Sequence, residues 1–433
     1  MAEALLIDTL PPAGASLASP RQIAGVVAGN ALEFYDFLTF SFFAVDIGKA
    51  FFPSTDPTIS LLASLATFGA GFLTRPLGAF VLGRMGDRIG RRPAMLICFG
   101  LMGLAIAGLA LTPSYAQIGG AAPAIVVALR LLQGFALGGE VGPSTAYLAE
   151  AASAGRRGLM ISLQYLGQGM ATLTAGIVGV TLSATLSAGD LHAIGWRVAL
   201  GLGVVIVPFG LMLRRGLTET LHAPEARVET ERTHPTVRVL VLGLLLLASG
   251  TTITYVLNYL TTYATATLHM ATRLAFTATV IRGLGTIIGS PLGGWLADRY
   301  GRRTVMLAPG LLLFLLIMPS FMWLSQARTG IALFTVTAVM SLLGGISGAA
   351  VIVAITEQLP KPSRSTSLAV VYALSISVFG GSAQFNVAWL TAHTHSVLAP
   401  AWYLVIGAAA GLVAMLFMRE SAPVSGMSGR EPA

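Results

Sequence analysis

Six ionisable side chains lie deep inside apolar stretches of this chain: Glu33, Asp36, Arg75, Arg130, Glu140 and Arg282. A charge in hydrocarbon is costly, so each is a functional candidate that must find a partner. Glu33 and Asp36 stand at i and i+3 and share a helix face, with Asn30 one turn away. Two carboxylates crowded in low dielectric resist ionising together and can share a proton. Together with Glu140 they are the proton-coupling candidates; the competing reading pairs one carboxylate permanently with a buried arginine. Arg130 and Glu140 are about 15 Å apart along one helix, so they cannot pair with each other.

Arginine keeps its charge when desolvated and forks onto carboxylates through two parallel bonds. Three buried arginines therefore point to an organic anion, and a di- or tricarboxylate would satisfy two or three such forks. Arg282, in the segment VIRGLGT, is the first choice for a carboxylate ligand. Its alternative role is a charge pair with a carboxylate such as Glu140. Polar neighbours complete the candidate site. Tyr255, Asn258, Tyr259, Thr262 and Tyr263 fall at i, i+3, i+4, i+7 and i+8, one polar-aromatic stripe on an apolar helix. Gln164 and Gln168 lie four apart, and Gln133 follows Arg130 by three. In lipid such groups must face protein or a watery cavity. Interhelical hydrogen bonding explains any one of them equally well, but not the whole stripe. The substrate-binding set is thus Asn30, Arg75, Arg130, Gln133, Gln164, Gln168, Tyr255, Asn258, Tyr259 and Arg282.

The elements that position these residues are membrane helices. The 433 residues are 55% hydrophobic and 10% charged, with mean hydropathy +0.79, whereas soluble domains carry roughly 25% charged residues. About 20 apolar residues span a bilayer core, and the chain offers about twelve such runs. Their expected limits are 21–52, 58–83, 93–112, 121–151, 157–187 and 194–215, then 236–266, 272–298, 303–324, 329–358, 364–392 and 398–419. The expected organisation is a disordered cytoplasmic lead (1–20), a six-helix bundle (21–215), a polar cytoplasmic linker (216–235), a second six-helix bundle (236–420) and a cytoplasmic tail (421–433). With the N-terminus placed inside, nineteen Lys/Arg fall in cytoplasmic segments and only Lys49, Arg197, Arg273 and Arg328 outside. That asymmetry is the positive-inside bias. The net charge of +8 is therefore topological, not a nucleic-acid patch. Cys98 is the single cysteine and lies in an apolar run, so no internal disulfide can form.

GRMGDRIGRR (Gly83 to Arg92) returns 294 − 83 = 211 positions later as GWLADRYGRR, and Glu150 finds its echo in Glu357 at 357 − 150 = 207. Two echoes at nearly one spacing imply a duplicated chain with parallel halves. Each basic decapeptide turns between two helices. Its aspartate, Asp87 or Asp298, needs a donor or cation, which Arg88 and Arg91 or Arg299 and Arg302 supply; Glu150, Glu357 and Arg364 stand at neighbouring helix ends. Gly83 opens the first turn. This set reads as a gate latch, the alternative being a pure topology signal.

These segments resemble the major facilitator superfamily. GRMGDRIGRR is similar to its loop after the second helix, and RLLQGFALGGE, from Arg130, to its fourth-helix pattern. GNALEFYDF, FLTRPLGAFVLG, GWR (Gly195 to Arg197) and TEQLPKPSR resemble the metabolite–proton symporters, which take up citrate, 2-oxoglutarate, shikimate, or proline and betaine. Within that family the likeness is greatest to bacterial citrate and tricarballylate symporters. The resemblance implies an all-α protein of twelve transmembrane helices in two pseudo-symmetric bundles, with the hairpin networks latching the cytoplasmic side. It places Arg75 and Arg130 in motifs shared by members with different substrates. The expected activity is import of an organic acid with protons by alternating access; another small metabolite, or a drug–proton antiporter, is the rival. The expected partners are a small anionic metabolite, protons and membrane lipid, with no bound cofactor or metal and no nucleic acid. The expected form is a monomer in the bacterial inner membrane. No GxxxxGK[ST], HExxH or GxSxG motif occurs, so nothing argues for an enzyme.

Overall fold

In hydrocarbon every backbone N–H and C=O has to be satisfied inside its own segment, and the described residues accordingly form helices and no strand. The structure, a computed structural model, describes residues 19–89, 91–138, 141–153, 155–215, 236–359 and 364–421. The linker expected at 216–235 lies outside them, as do nearly all of the expected N-terminal lead and C-terminal tail and the proton-coupling candidate Glu140. The side chains of Asp87, Arg88, Arg91, Glu150 and Arg364, all latch candidates, also lie outside the described set.

In the first half the helices are α1 (Pro20–Phe42), α2 (Ala44–Phe51), α3 (Pro57–Leu73), α4 (Arg75–Ile89), α5 (Arg91–Leu111), α6 (Tyr115–Ile118), α7 (Ala121–Leu137), α8 (Val141–Glu150), α9 (Arg157–Thr185), α10 (Ala188–Asp190) and α11 (Trp196–Arg215). In the second they are α12 (Val237–Thr262), α13 (Thr272–Tyr300), α14 (Arg302–Ala327), α15 (Gly330–Gln358), α16 (Arg364–Ser375), α17 (Gly381–Thr394) and α18 (Ala399–Phe417). Paired end to end, they make the twelve spans expected from the sequence. Local chemistry sets the first boundary: Ser19 and Gln22 form a capping box and Pro20 takes the first helical position of α1.

Several spans are not the single helices that hydropathy suggests. The first breaks at Phe43, between α1 and α2. One-turn π-helical segments lie at Leu191–Gly195, Tyr263–Thr267 and Ile376–Gly380, each continuous with a longer helix. Seven helices among the described residues are long and apolar enough to cross a membrane by themselves. Neither α1, which holds Glu33 and Asp36, nor α13, which holds Arg282, is among them.

The two halves meet along α9 and α13, which run antiparallel in close contact. A side chain at Gly158 would collide with the carbonyl oxygen of Gly294, and one at Gly179 with the ring of Phe276. Glycine is required there for backbones to approach. A second seam joins α3 to α17, where Gly69 abuts the carbonyl oxygen of Gly381. Between α13 and α14 the chain turns at Gly301, whose φ of +95° is a conformation that side-chain-bearing residues rarely adopt. This hairpin end is called here the hairpin side of the molecule and the opposite end the far side.

Candidate functional site

On the hairpin side the second decapeptide forms a bonded network. Asp298 of α13 accepts hydrogen bonds from the backbone N–H groups of Gly158 (2.8 Å) and Leu159 (2.9 Å) in the other half. These are orphan donors of the first turn of α9, where helix polarity also favours a carboxylate. Asp298 is held in turn by Arg302 at 2.8 Å. The Arg302 fork closes on Glu357 through two bonds of 3.1 and 2.9 Å. Glu420 then accepts the N–H groups of Arg302 (2.8 Å) and Arg303 (2.9 Å) at the start of α14. The donor expected for Asp298 is thus mainly a helix end of the opposite half. Arg299 corrects the expectation: exposed, it lies over the rings of Trp295 and Tyr300 and takes no part in these bonds.

Inside the first half a second cluster is buried. Arg130, 0% exposed, lies over the rings of Phe40 (4.3 Å), Phe37 (4.8 Å) and Phe68 (5.2 Å). Arg75 lies over Phe72 (4.3 Å) and over Phe37 (4.8 Å), so the Phe37 ring touches both guanidinium groups. The ring quadrupole offsets part of their charge. Arg130 donates to the side-chain oxygen Oε1 of Gln133, and Gln133 donates through its side-chain amide nitrogen to Asp36. The first partner of Arg130 is on its own helix, and Asp36 of α1 is reached through Gln133. Glu33 is buried one turn before Asp36.

Between the halves lies a cavity lined by α1, α9, α12, α13, α15 and the α16 span. The expected residues Gln168, Tyr255, Asn258 and Arg282 all line it. Arg282, 7% exposed, is the one charged side chain on its wall among the described residues. It donates to the carbonyl oxygen of Thr254 (3.0 Å) and to the hydroxyl of Thr172 (3.4 Å), while its Nε is buried with no hydrogen-bond partner. Asn258 Oδ1 and Ser341 Oγ on the same wall are likewise buried and unpartnered. Such groups cost free energy until something meets them.

Six expected ligands do not line this cavity: Asn30, Arg75, Arg130, Gln133, Gln164 and Tyr259. Arg75 and Arg130 are engaged by rings, and Gln133 is spent on Arg130 and Asp36. Gln164 lies one turn nearer the hairpin side than Gln168, and Asn30 packs beside Gly167. The stripe on α12 divides in two. Tyr255 and Asn258 reach the cavity, whereas Tyr263 donates to the Val397 carbonyl (2.7 Å) and ties helix ends together. Sequence reasoning missed Tyr165, Thr172, Ser341 and Tyr372 on the wall. Tyr165 and Thr172 were accessible to it, because they flank Gln168 by three and four residues on one helix face. Ser341 and Tyr372 carried no such signal.

Bonds cross between the halves on both sides of the cavity. On the far side Ser41 donates to Gln384 (2.8 Å), which donates to the Tyr255 carbonyl (3.3 Å); Ser377 donates to the Phe72 carbonyl (2.8 Å), and Phe43 packs on Phe276 at 4.9 Å. The Asp298 bonds join the halves on the hairpin side. A cavity with buried polar groups between two similar halves suits a carrier that exposes one site to each side in turn.

Comparison with known proteins agrees with this architecture. Residues 23–222 match the family model "Sugar (and other) transporter", and residues 240–433 that of the Major Facilitator Superfamily. A citrate-proton symporter of Salmonella typhi is 36% identical over 408 residues, spanning 92% of this chain and 94% of that protein. Its counterpart in Klebsiella pneumoniae is 34% identical, with 94% of each chain covered. An alpha-ketoglutarate permease of Escherichia coli (strain K12) is 32% identical over 92% of this chain and 93% of the relative. Among solved structures, a partially occluded inward-open form of the Escherichia coli xylose transporter XylE superposes with a TM-score of 0.77 at 16% identity, covering 93% of this chain and 98% of that one, a likeness of fold alone. The chain belongs to the major facilitator superfamily, within its metabolite–proton symporters, and is a multi-pass membrane protein.

Proposed function

We propose that this protein imports an organic acid, citrate or a related di- or tricarboxylate, together with protons. The observation that carries the reading is Arg282, a desolvated guanidinium on the wall of the central cavity whose described partners are neutral oxygens. A carboxylate supplies the charge that those oxygens lack. The similarity to two citrate-proton symporters over most of the chain supports the same substrate class. The cationic wall argues against a drug–proton antiporter, whose cargo calls for apolar and acidic groups.

In this proposal the hairpin side faces the cytoplasm, as the distribution of Lys and Arg requires. Asp36 takes the coupling proton. Once neutral it no longer holds Gln133 against Arg130 by charge, and α1 and α7 are freer to shift. Substrate enters from the far side after the Gln384 and Ser377 contacts part, and seats on Arg282. The far side then closes, the Asp298 bonds to α9 open, and substrate and proton leave to the cytoplasm. The proton gradient supplies the work, with no bound cofactor, and one chain suffices.

The test is uptake of radiolabelled citrate into proteoliposomes under an imposed inward proton gradient, with unlabelled competitors. The proposal expects accumulation that collapses with a protonophore and competition by di- and tricarboxylates. Uptake that ignores the gradient, or competition by betaine but not by other di- and tricarboxylates, would contradict it.

A further inference from the structure

The unpartnered atoms on the cavity wall say more than that the ligand is an anion. Three of them belong to one wall: Arg282 Nε is a donor, Asn258 Oδ1 an acceptor, and Ser341 Oγ either. They come from α13, α12 and α15, all in the second half. Arg282 makes one bond from each terminal nitrogen, to Thr172 and to Thr254, so of its five N–H donors Nε and one on each terminal nitrogen are still open to a ligand. A fully ionised carboxylic acid offers only acceptors. It can satisfy Nε, but it leaves Asn258 Oδ1 unmet in a desolvated site.

We propose that Arg282, Asn258 and Ser341 form a subsite for a hydroxy acid, deepening the organic-acid reading on which it rests. An ionised carboxylate of the ligand accepts from Arg282. A ligand hydroxyl donates to Asn258 and accepts from Ser341. The wall carries no other charged side chain among the described residues; the Gln168 amide and the hydroxyls of tyrosine and threonine side chains make up the rest of its polar groups. The subsite therefore selects by hydroxyl as well as by charge. Citrate and other hydroxylated acids fit it. A 2-oxo dianion or a betaine has no donor for Asn258, so the subsite discriminates against both.

Citrate and tricarballylate differ only by the hydroxyl and make the test. Affinities of both acids are measured by calorimetry on the purified full chain and on Asn258→Ala and Ser341→Ala. The wild-type protein is expected to bind citrate roughly tenfold or more tightly than tricarballylate, the size of one well-made hydrogen bond plus the cost of an orphaned acceptor. Asn258→Ala is expected to weaken citrate alone and bring the two acids within about threefold, a level at which the hydrogen bond no longer contributes. Should that variant fail to fold, Ser341→Ala reads the same convergence. Equal wild-type affinities, or a variant that weakens both acids alike, would overturn the hydroxyl subsite and leave organic-acid transport standing. Binding of neither acid would overturn both proposals.

Discussion

Arg130 and Arg282 are both arginines at the middle of membrane helices, both buried, and their surroundings are opposite. Arg130 is enclosed by three phenylalanine rings and joined through Gln133 to Asp36. Arg282 lines a cavity between the halves and touches only neutral oxygens among the described residues. Both keep guanidinium nitrogens without a hydrogen-bond partner, but Arg130 is linked through Gln133 to a protein carboxylate, whereas Arg282 bonds to no carboxylate among the described residues. A buried arginine is therefore a clue to substrate only when its neighbours leave it unspent, and sequence shows the arginine without showing those neighbours.

This contrast predicts different failures. Arg130→Ala removes one member of a buried charge network and should cost about 3–5 kcal/mol of stability, read as a large fall in melting temperature in detergent. A wild-type melting temperature would mean that the ring-enclosed cluster is no structural unit. Asp36→Asn keeps the hydrogen-bonding shape but cannot carry a proton. It should abolish gradient-driven accumulation while preserving citrate exchange; accumulation at the normal level would remove Asp36 from coupling.

The hairpin side gives the next smaller effect. Asp298→Ala deletes the cap on α9 from across the interface, a change of about 1 kcal/mol for a lost helix cap. In a Cys98→Ser background, labelling of a cysteine placed in the cytoplasmic half of the cavity should rise. Unchanged labelling would reduce the second decapeptide to a topology signal. Arg299→Ala should leave that labelling untouched and change stability by about 0.5–1 kcal/mol, the value of an exposed cation–ring contact. A clear labelling increase would return Arg299 to the latch.

Much of the fold was legible because it is written in strong, repeated signals. The duplicated decapeptide marks the two hairpins, and hydropathy marks the spans. The break at Phe43 and the three π-helical turns were not, since the residues stay apolar on both sides of each and helix propensity barely changes. The site divides in the same manner. Gln168, Tyr255, Asn258 and Arg282 stood out because a polar group in an apolar run is costly and therefore conspicuous. Tyr372 and Ser341 reach the wall only through the packing of α13, α15 and the α16 span, which no local pattern encodes. Arg75 and Arg130 misled for a related reason: Phe37, Phe40, Phe68 and Phe72 look like ordinary membrane residues until they close around two cations.

Citrate affinity of purified, monodisperse Arg282→Gln and Arg282→Lys separates the two roles of a buried arginine most directly. Neither substitution removes a protein carboxylate's partner among the described residues, so both variants should keep nearly the wild-type melting temperature. Both should lose roughly 2–5 kcal/mol of citrate binding, the cost of truncating a desolvated carboxylate contact, because an amide lacks the charge and an ammonium lacks the fork. Wild-type affinity in both variants would contradict the assignment of Arg282 to the substrate and, with it, the organic-acid function.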